Sequence, residues 1–480
     1  MLRLMTMTIL LGDLLLSSSA PGQTVPASPE HPWHGPAELN MQAYAKNVTN
    51  SRFTLDQSKT YSLAELIDVA EAHNPATRGA WEQARSQAAA LGIARSELYP
   101  TLAAAALSQT ERGQAFFGNR FFGQTTQTFE LALDLNYTVF DFGARSGRID
   151  AARARLLSAN FAFNDAHRSV IDQVERSYYR LLNSIGQEDS AQASLANAKA
   201  VEQAAQERLT NGLATLPDVL EARSATAQAE YDLQSALGAE EIARGDLATA
   251  LGTSASVAIR VQPLDQLPTP NSISETVEET INRAFAQRPD LMQQAAEIRT
   301  ANARLKEARA AYYPTLGVNI SPAFPSLNGI QQPFHWSHTA DLTGSLSFNL
   351  NWTVFDGGAR KGRVAQAQAD IRAAEAQTNL KKNQIADEVW ESYSNLNTAF
   401  RQQRAAIALL EAANQSYSAA LESYQYGLRN LLDVTAAQRS LAQARSADVF
   451  ARTQVLAAVA GLAFATGDSI QANKERAQHP

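Results

Sequence analysis

The sequence predicts a mixed α and transmembrane-β fold in which one helix–strand–strand–helix–helix unit is written twice. Three observations carry that prediction. Matched blocks recur in the two halves, each half alternates apolar and polar residues over about ten positions, and each half then enters a proline-free stretch far longer than an ordinary helix.

The chain has 480 residues, 45% of them apolar and 19% charged, an ordinary folded composition. A formal charge of −7 without a basic block argues against nucleic acid as a partner. The absence of cysteine excludes a disulfide framework, thiolate metal sites, a cysteine nucleophile and lipid attachment to an N-terminal Cys. Arg3, the largely apolar Leu4–Leu16 and then Ser17, Ser18, Ser19 and Ala20 follow the order of a secretory signal peptide over residues 1–20. Residues 21–60, with Pro21, Pro26, Pro29, Pro32 and Pro36, read as an extended arm, and 467–480 as a disordered tail. No uninterrupted apolar run after residue 20 is long enough to span a membrane as a helix.

The repeat fixes the remaining elements. Tyr99-Pro100-Thr101-Leu102 returns as Tyr313-Pro314-Thr315-Leu316. Thr138-Val139-Phe140-Asp141 with Gly143 returns, at nearly the same spacing, as Thr353-Val354-Phe355-Asp356 with Gly358. Gly212-Leu213 with Asp218-Val219 returns as Gly427-Leu428 with Asp433-Val434. The chain therefore divides into repeat 1 (61–262), a linker (263–272) containing Pro263, Pro268 and Pro270, and repeat 2 (273–466).

Each copy opens with a helix, Leu63 to Leu98 and Glu275 to Ala311, closed by the Tyr-Pro pair because proline disfavours the helical region for its predecessor. Strands follow at about 101–109 and 128–140, and at about 315–322 and 342–355, with loops at 110–126 and 323–341. Phe129, Leu131, Leu133, Leu135, Tyr137 and Val139 share one strand face, and Glu130, Asp134, Asn136 and Thr138 the other, the weak signature of a transmembrane strand. A half-buried strand of a soluble sheet gives the same alternation.

Asp141 and Asp356 stand where a helix N-cap is expected, ahead of about 65 residues that would form a helix roughly 100 Å long. Such helices must pack lengthwise, like coiled coils. Four strands in a bilayer leave edges that lipid cannot satisfy, two chains would close a barrel too narrow for a pore, and three would supply twelve strands. The expected assembly is a trimer in which a 12-stranded β-barrel continues into a long α-helical tunnel.

The duplication, the Tyr-Pro-Thr-Leu entry to the strands, the Thr-Val-Phe-Asp-x-Gly junction and the Gly-Leu…Asp-Val turns together resemble the TolC-like outer-membrane efflux proteins, over essentially all of residues 60–466. The resemblance implies a homotrimer seated in outer-membrane lipid and extending into the periplasm of a Gram-negative cell. It would be a passive exit duct of a tripartite efflux pump, docking a periplasmic adaptor and an inner-membrane transporter. It implies no enzyme activity and no cofactor. The alternative within the family is the exit duct of a type I protein-secretion system; outside it stands a periplasmic coiled-coil scaffold.

Carried onto this sequence, the family pattern puts the adaptor-contacting tips at Gly212, Leu213, Ala214 and Thr215 and at Gly427 and Leu428. It puts the periplasmic gate at Asp218, Tyr424, Arg429 and Asp433, with an Arg429–Asp218 pair holding the tips closed. The second acidic ring that the pattern expects falls on the uncharged Ala436. His31-x-x-His34 and His335-x-x-His338 lie in loop sequence without an acidic neighbour at fixed spacing, so no metal site is expected. Phe116, Phe117, Phe121 and Phe122 cluster in the first strand–strand loop, where they either narrow the outer mouth or sit at the lipid interface, the favoured place for them.

Overall fold

A computed structural model describes residues 58–268, 270, 272–331 and 337–468, together with Met41, Tyr44, Ala45, Leu55 and Asp56. The expectations for the signal peptide, for most of the arm, for the tail beyond Asp468 and for His31, His34 and His335 lie outside the described residues.

Repeat 1 runs β1 (Thr60–Tyr61), α1 (Leu63–His73), α2 (Pro75–Ser96), β2 (Thr101–Phe117), β3 (Arg120–Phe140), α3 (Ala144–Thr210) and α4 (Leu216–Ala250). After β4 (Arg260–Val261), which pairs in parallel with β1, repeat 2 follows. It runs α5 (Val277–Gln287), α6 (Pro289–Ala310), β5 (Thr315–Gln331), β6 (Ser337–Ala340), β7 (Thr343–Asn351), α7 (Ala359–Gln425) and α8 (Leu431–Thr466).

The opening helix of each copy is two helices rather than the one expected. Capping boxes start them: Ser62 and Thr276 each receive the backbone N–H of a Glu three residues on, and that carboxylate accepts the cap residue's own N–H. The breaks fall at Asn74 and Arg288, both held in the extended region by the prolines that follow. Each break receives the end of a distant helix. Asn74 Nδ2 donates to Ala250 O at the C-terminus of α4 (2.8 Å), and Arg288 Nη1 donates to Ala465 O at the C-terminus of α8 (3.1 Å).

The second joint is charged. Arg288 is 1% exposed and grips Asp290 at 2.6 Å, Lys381 reaches the same carboxylate at 2.9 Å, and Arg168 donates to Phe464 O at 2.8 Å. Burial opposes ionisation of Asp290, yet its hydrogen bonds from Arg288 and Lys381 hold it well below the usual carboxylate range.

Three strands extend beyond the expected spans, whereas β7 ends at Asn351, short of the expected 342–355. Residues 110–126 continue β2 and β3 with unbroken register from Thr101↔Asn136 to Phe117↔Arg120, leaving only Gly118 and Asn119 as a turn. Gly118 has φ +64, which suits the first central position of a tight hairpin turn. Likewise β5 runs to Gln331 through the expected loop and pairs with both β6 and β7. The sheet order is β2–β3–β5, with β7 and β6 on the far side of β5, all antiparallel.

Alternation through this register gives the sheet two unlike faces. Leu102, Leu135, Ile320 and Leu346 form one row across β2, β3, β5 and β7, and Ala106, Leu131 and Phe324 form another. Opposite them Ser321 donates to Asp134 (2.6 Å) and Asn319 to Asn136 (2.8 Å).

Asp141 and Asp356 serve the helix starts from two residues further back than expected. The cap positions belong to Gly143 (φ +99) and Gly358 (φ +89), which have no side chain to offer. Asp141 accepts the N–H groups of Gly143 and Arg145 and the Nε–H of Arg145, and Asp356 repeats the arrangement with Gly358 and Arg360.

Helices α3 and α7 are 67 residues each, about 100 Å. Near the sheet α2 packs on α3, α3 on α6 and α6 on α7, the order of the strands they adjoin. Farther away α4 packs on α3, α3 on α8 and α8 on α7. By length and composition α8 would cross a membrane, but its Leu431, Val434, Leu441 and Val455 are buried within the helical layer, against residues of α3, α4 and α7. A trough of about 910 Å³ runs over α2, α3, α6 and α7 and reaches Thr315 and Asn351, which pair with each other on the polar face of the sheet.

Candidate functional site at the helical tips

The helical hairpins α3–α4 and α7–α8 turn at Gly212 and Gly427, with φ +73 and +74. Both turns are Schellman motifs. Gly212 N–H donates to Leu209 O and Leu213 N–H to Arg208 O; Gly427 N–H donates to Tyr424 O and Leu428 N–H to Ser423 O. This geometry turns the residue after each glycine outward, and Leu213 and Leu428 are 66% and 78% exposed. Tyr426, Leu216 and Leu432 beside them are exposed as well, so the tips carry an apolar surface.

The return helices start differently. Thr215 donates its N–H and hydroxyl to Asp218 (2.8 and 2.7 Å), which draws that carboxyl below its usual range, helped by the nearby Arg208 charge. In the second copy Asn430 Oδ1 accepts the N–H of Asp433, and the Asp433 carboxylate has no partner among the described residues.

Tyr424 does not line an open surface. It is 4% exposed, in a cluster with Val201, Ala205, Leu431 and Val434, and burial pushes its phenol up from its ordinary value. Over its ring, 4.8 Å from the centroid, lies the guanidinium of Arg208. Arg208 Nη1 donates to Tyr424 O (2.8 Å) and Gln425 O (3.1 Å), and Nη2 donates to Leu213 O (3.4 Å). One arginine of the first hairpin therefore binds the carbonyls that end α7, where the helix dipole is negative.

Of the four residues expected at a gate, the fold brings Asp218 and Tyr424 together around Arg208. Arg429 has no ion-pair partner among the described residues of the chain, and Asp218 feels the charge of the nearby Arg208. Arg208 escaped the sequence reading because its counterpart in the second copy is Ser423 and its partners lie a whole repeat away.

The outer membrane efflux protein family model matches residues 66–253 and again 280–468, one match in each copy. The chain belongs to this family. It is similar to the protein CyaE of Bordetella pertussis (26% identity, covering 86% of this chain and 85% of CyaE). It is similar also to the outer membrane protein OprJ of Pseudomonas aeruginosa (24% identity, covering 88% and 87%). The solved structure of the outer-membrane channel OprN superposes with a TM-score of 0.75 at 19% identity, covering 87% of this chain and 95% of that one. Membership places the chain in the outer membrane of a Gram-negative cell as a channel subunit of an efflux system.

Proposed function

We propose that three copies of this chain close a twelve-stranded barrel and a helical tunnel below it, forming the exit duct of a tripartite efflux pump. The observation that carries this reading is the sheet. It is apolar along one face, polar along the other, and among the described residues ends on unpaired β2 at one side and unpaired β6 and β7 at the other. In lipid such edges must find partners, and copies of the same chain supply them by joining β7 of one to β2 of the next. The polar face reaches the trough over α2, α3, α6 and α7 at Thr315 and Asn351, so solute would meet water-facing side chains along its path.

The exposed tip residues Leu213 and Leu428, with Gly212, Ala214, Thr215 and Gly427, would meet the adaptor, and the inner-membrane transporter would lie beyond it. Closure falls to the same end: Arg208, Tyr424 and Asp218 tie the hairpins within each copy, while Arg429 and Asp433 remain for contacts around the axis. Fractionation with detergent extraction tests the assembly. A detergent-stable trimer in the outer-membrane fraction that conducts ions in planar bilayers supports the duct. A soluble periplasmic monomer without conductance removes it.

A further inference from the structure

The hairpin of β2 and β3 is longer than a bilayer needs. Its apolar face runs from Val139 to Phe129, ten residue steps or about 34 Å along the strand, which a tilt of about 40° reduces to the roughly 25 Å of an outer-membrane apolar band. Phe129 and Phe324 stand at the upper end of that band, where interfacial aromatics belong. Above them the same face turns polar through Thr110, Arg112, Gln114, Thr125 and Gln127. It ends on Phe116 and Phe121, 63% and 70% exposed, their rings 4.9 Å apart. This pair sits eight residues past the Phe129 row, about 27 Å farther along the strand. It cannot be the lipid-interface girdle expected for these phenylalanines.

Charge is unevenly placed on the same hairpin, with Arg120 beside the turn sharing the parity of the polar face. Its acidic residues Glu111, Glu130 and Asp134 all have the opposite parity, on the polar face, whereas Arg112 is on the outward face between the apolar band and the aromatic tip. An outward surface that is apolar, then basic, then aromatic fits layers of matching chemistry: acyl chains, phosphates and sugar rings.

We infer that the outward face of the β2–β3 hairpin is a docking surface for a phosphorylated glycolipid of the outer leaflet. Arg112 meets the phosphates, and Phe116 and Phe121 stack on the apolar faces of the core sugars. The inference rests on the reading of the sheet as part of a lipid-embedded barrel.

The chain has no cysteine, so Asn119→Cys in the turn takes a single environment-sensitive dye and leaves both phenylalanines in place. The labelled full chain is reconstituted in vesicles of phospholipid alone, of phospholipid with lipid A, and of phospholipid with lipopolysaccharide carrying a complete core oligosaccharide. Iodide quenching of the dye is expected to fall several-fold only in the last. The protection should disappear when Phe116→Ser and Phe121→Ser are added. Equal quenching in all three vesicles overturns the inference, as does protection already present in phospholipid or lipid A, which would return the tip to the bilayer surface. Protection that survives both serines also overturns it, because shielding would then not need the rings. Conductance of the same vesicles separates the two levels. Normal conductance without protection sinks the glycolipid surface alone, and failure to insert or conduct sinks the barrel reading with it.

Discussion

Replacing Arg208 by alanine should open the periplasmic end. The substitution removes three charge-assisted hydrogen bonds, to Tyr424 O, Gln425 O and Leu213 O, and the cation over the Tyr424 ring. A hydrogen bond with one charged partner contributes about 1.5–3 kcal/mol, and a cation–π contact about 0.5–2 kcal/mol. The Gln425 and Leu213 carbonyls are exposed and regain water when Arg208 is lost, so their share falls to the low end. A net loss of about 2–4 kcal/mol per chain remains, which shifts a two-state closed–open balance by about 30- to 1,000-fold. Single-channel recording in planar bilayers reads this directly as a higher and longer-lived conductance. Arg208→Lys keeps the charge but loses the planar fork that spans two carbonyls, and should fall between parent and alanine. Thermal melting of the trimer checks that the variant is folded. If Arg208→Ala conducts like the parent while Arg429→Ser opens the channel, the reasoning fails, because the closing cation is then Arg429 acting between copies.

Three further outcomes follow from the same geometry. Asp433→Ala should reduce cation preference, read as a smaller reversal potential in a salt gradient, because the unpartnered carboxylates would ring a narrow opening. Asp290→Asn leaves the buried Arg288 with only the half-exposed Glu388 as counter-ion, so the cost in denaturation measurements should fall at or below the low end of the about 3–5 kcal/mol of a broken buried pair. Since the folded carboxyl titrates well below its unfolded value, its contribution is present above pH of about 4 and is lost as pH falls through the acid range, so the variant should show a flatter acid limb than the parent. Glu175 behaves oppositely: burial, with Asp172 nearby, raises it to about 7, and its Oε2 has no hydrogen-bond partner. The folded state is thus penalised as pH rises through the interval up to about 7, and Glu175→Gln should raise the melting temperature at pH 8 while changing it little at pH 5.

Much of this architecture was legible because duplication turns weak signals into paired ones. Tyr99-Pro100 and Tyr313-Pro314 marked the helix-to-strand passages, and Gly212 and Gly427 the helical turns, since each needs a backbone state that few residues allow. The misses have equally physical causes. Pro75 and Pro289 sit inside strong helical patterns, but both are the first residue of a new helix, where proline fits, so the break falls at Asn74 and Arg288. The strand extensions through 110–126 were hidden because over 110–114 and 123–127 neither face is apolar: a strand polar on both sides loses the alternation that reveals it. The Gly118-Asn119 pair was the signal available for the long hairpin. At the tips, sequence named Tyr424 and Asp218 but not the cation between them, because Arg208 has no equivalent in the second copy.

That last asymmetry bears on how the two hairpins differ. The first is fixed at its far end by a neutral amide, Asn74 on Ala250 O. The second is fixed at both ends by arginines from elsewhere in the fold: Arg208 on the carbonyls that close α7, and Arg288 with Arg168 on those that close α8. Each of these contacts places a cation on the negative end of a helix dipole, so each holds an entire helix rather than one side chain. The joint at Arg288 is buried, and movement there would expose an uncompensated charge. The contact at Arg208 is part-exposed, and water can replace it. If the tips open as proposed, the second hairpin is expected to hinge at its buried end and release at its tip, where water can replace the Arg208 contacts.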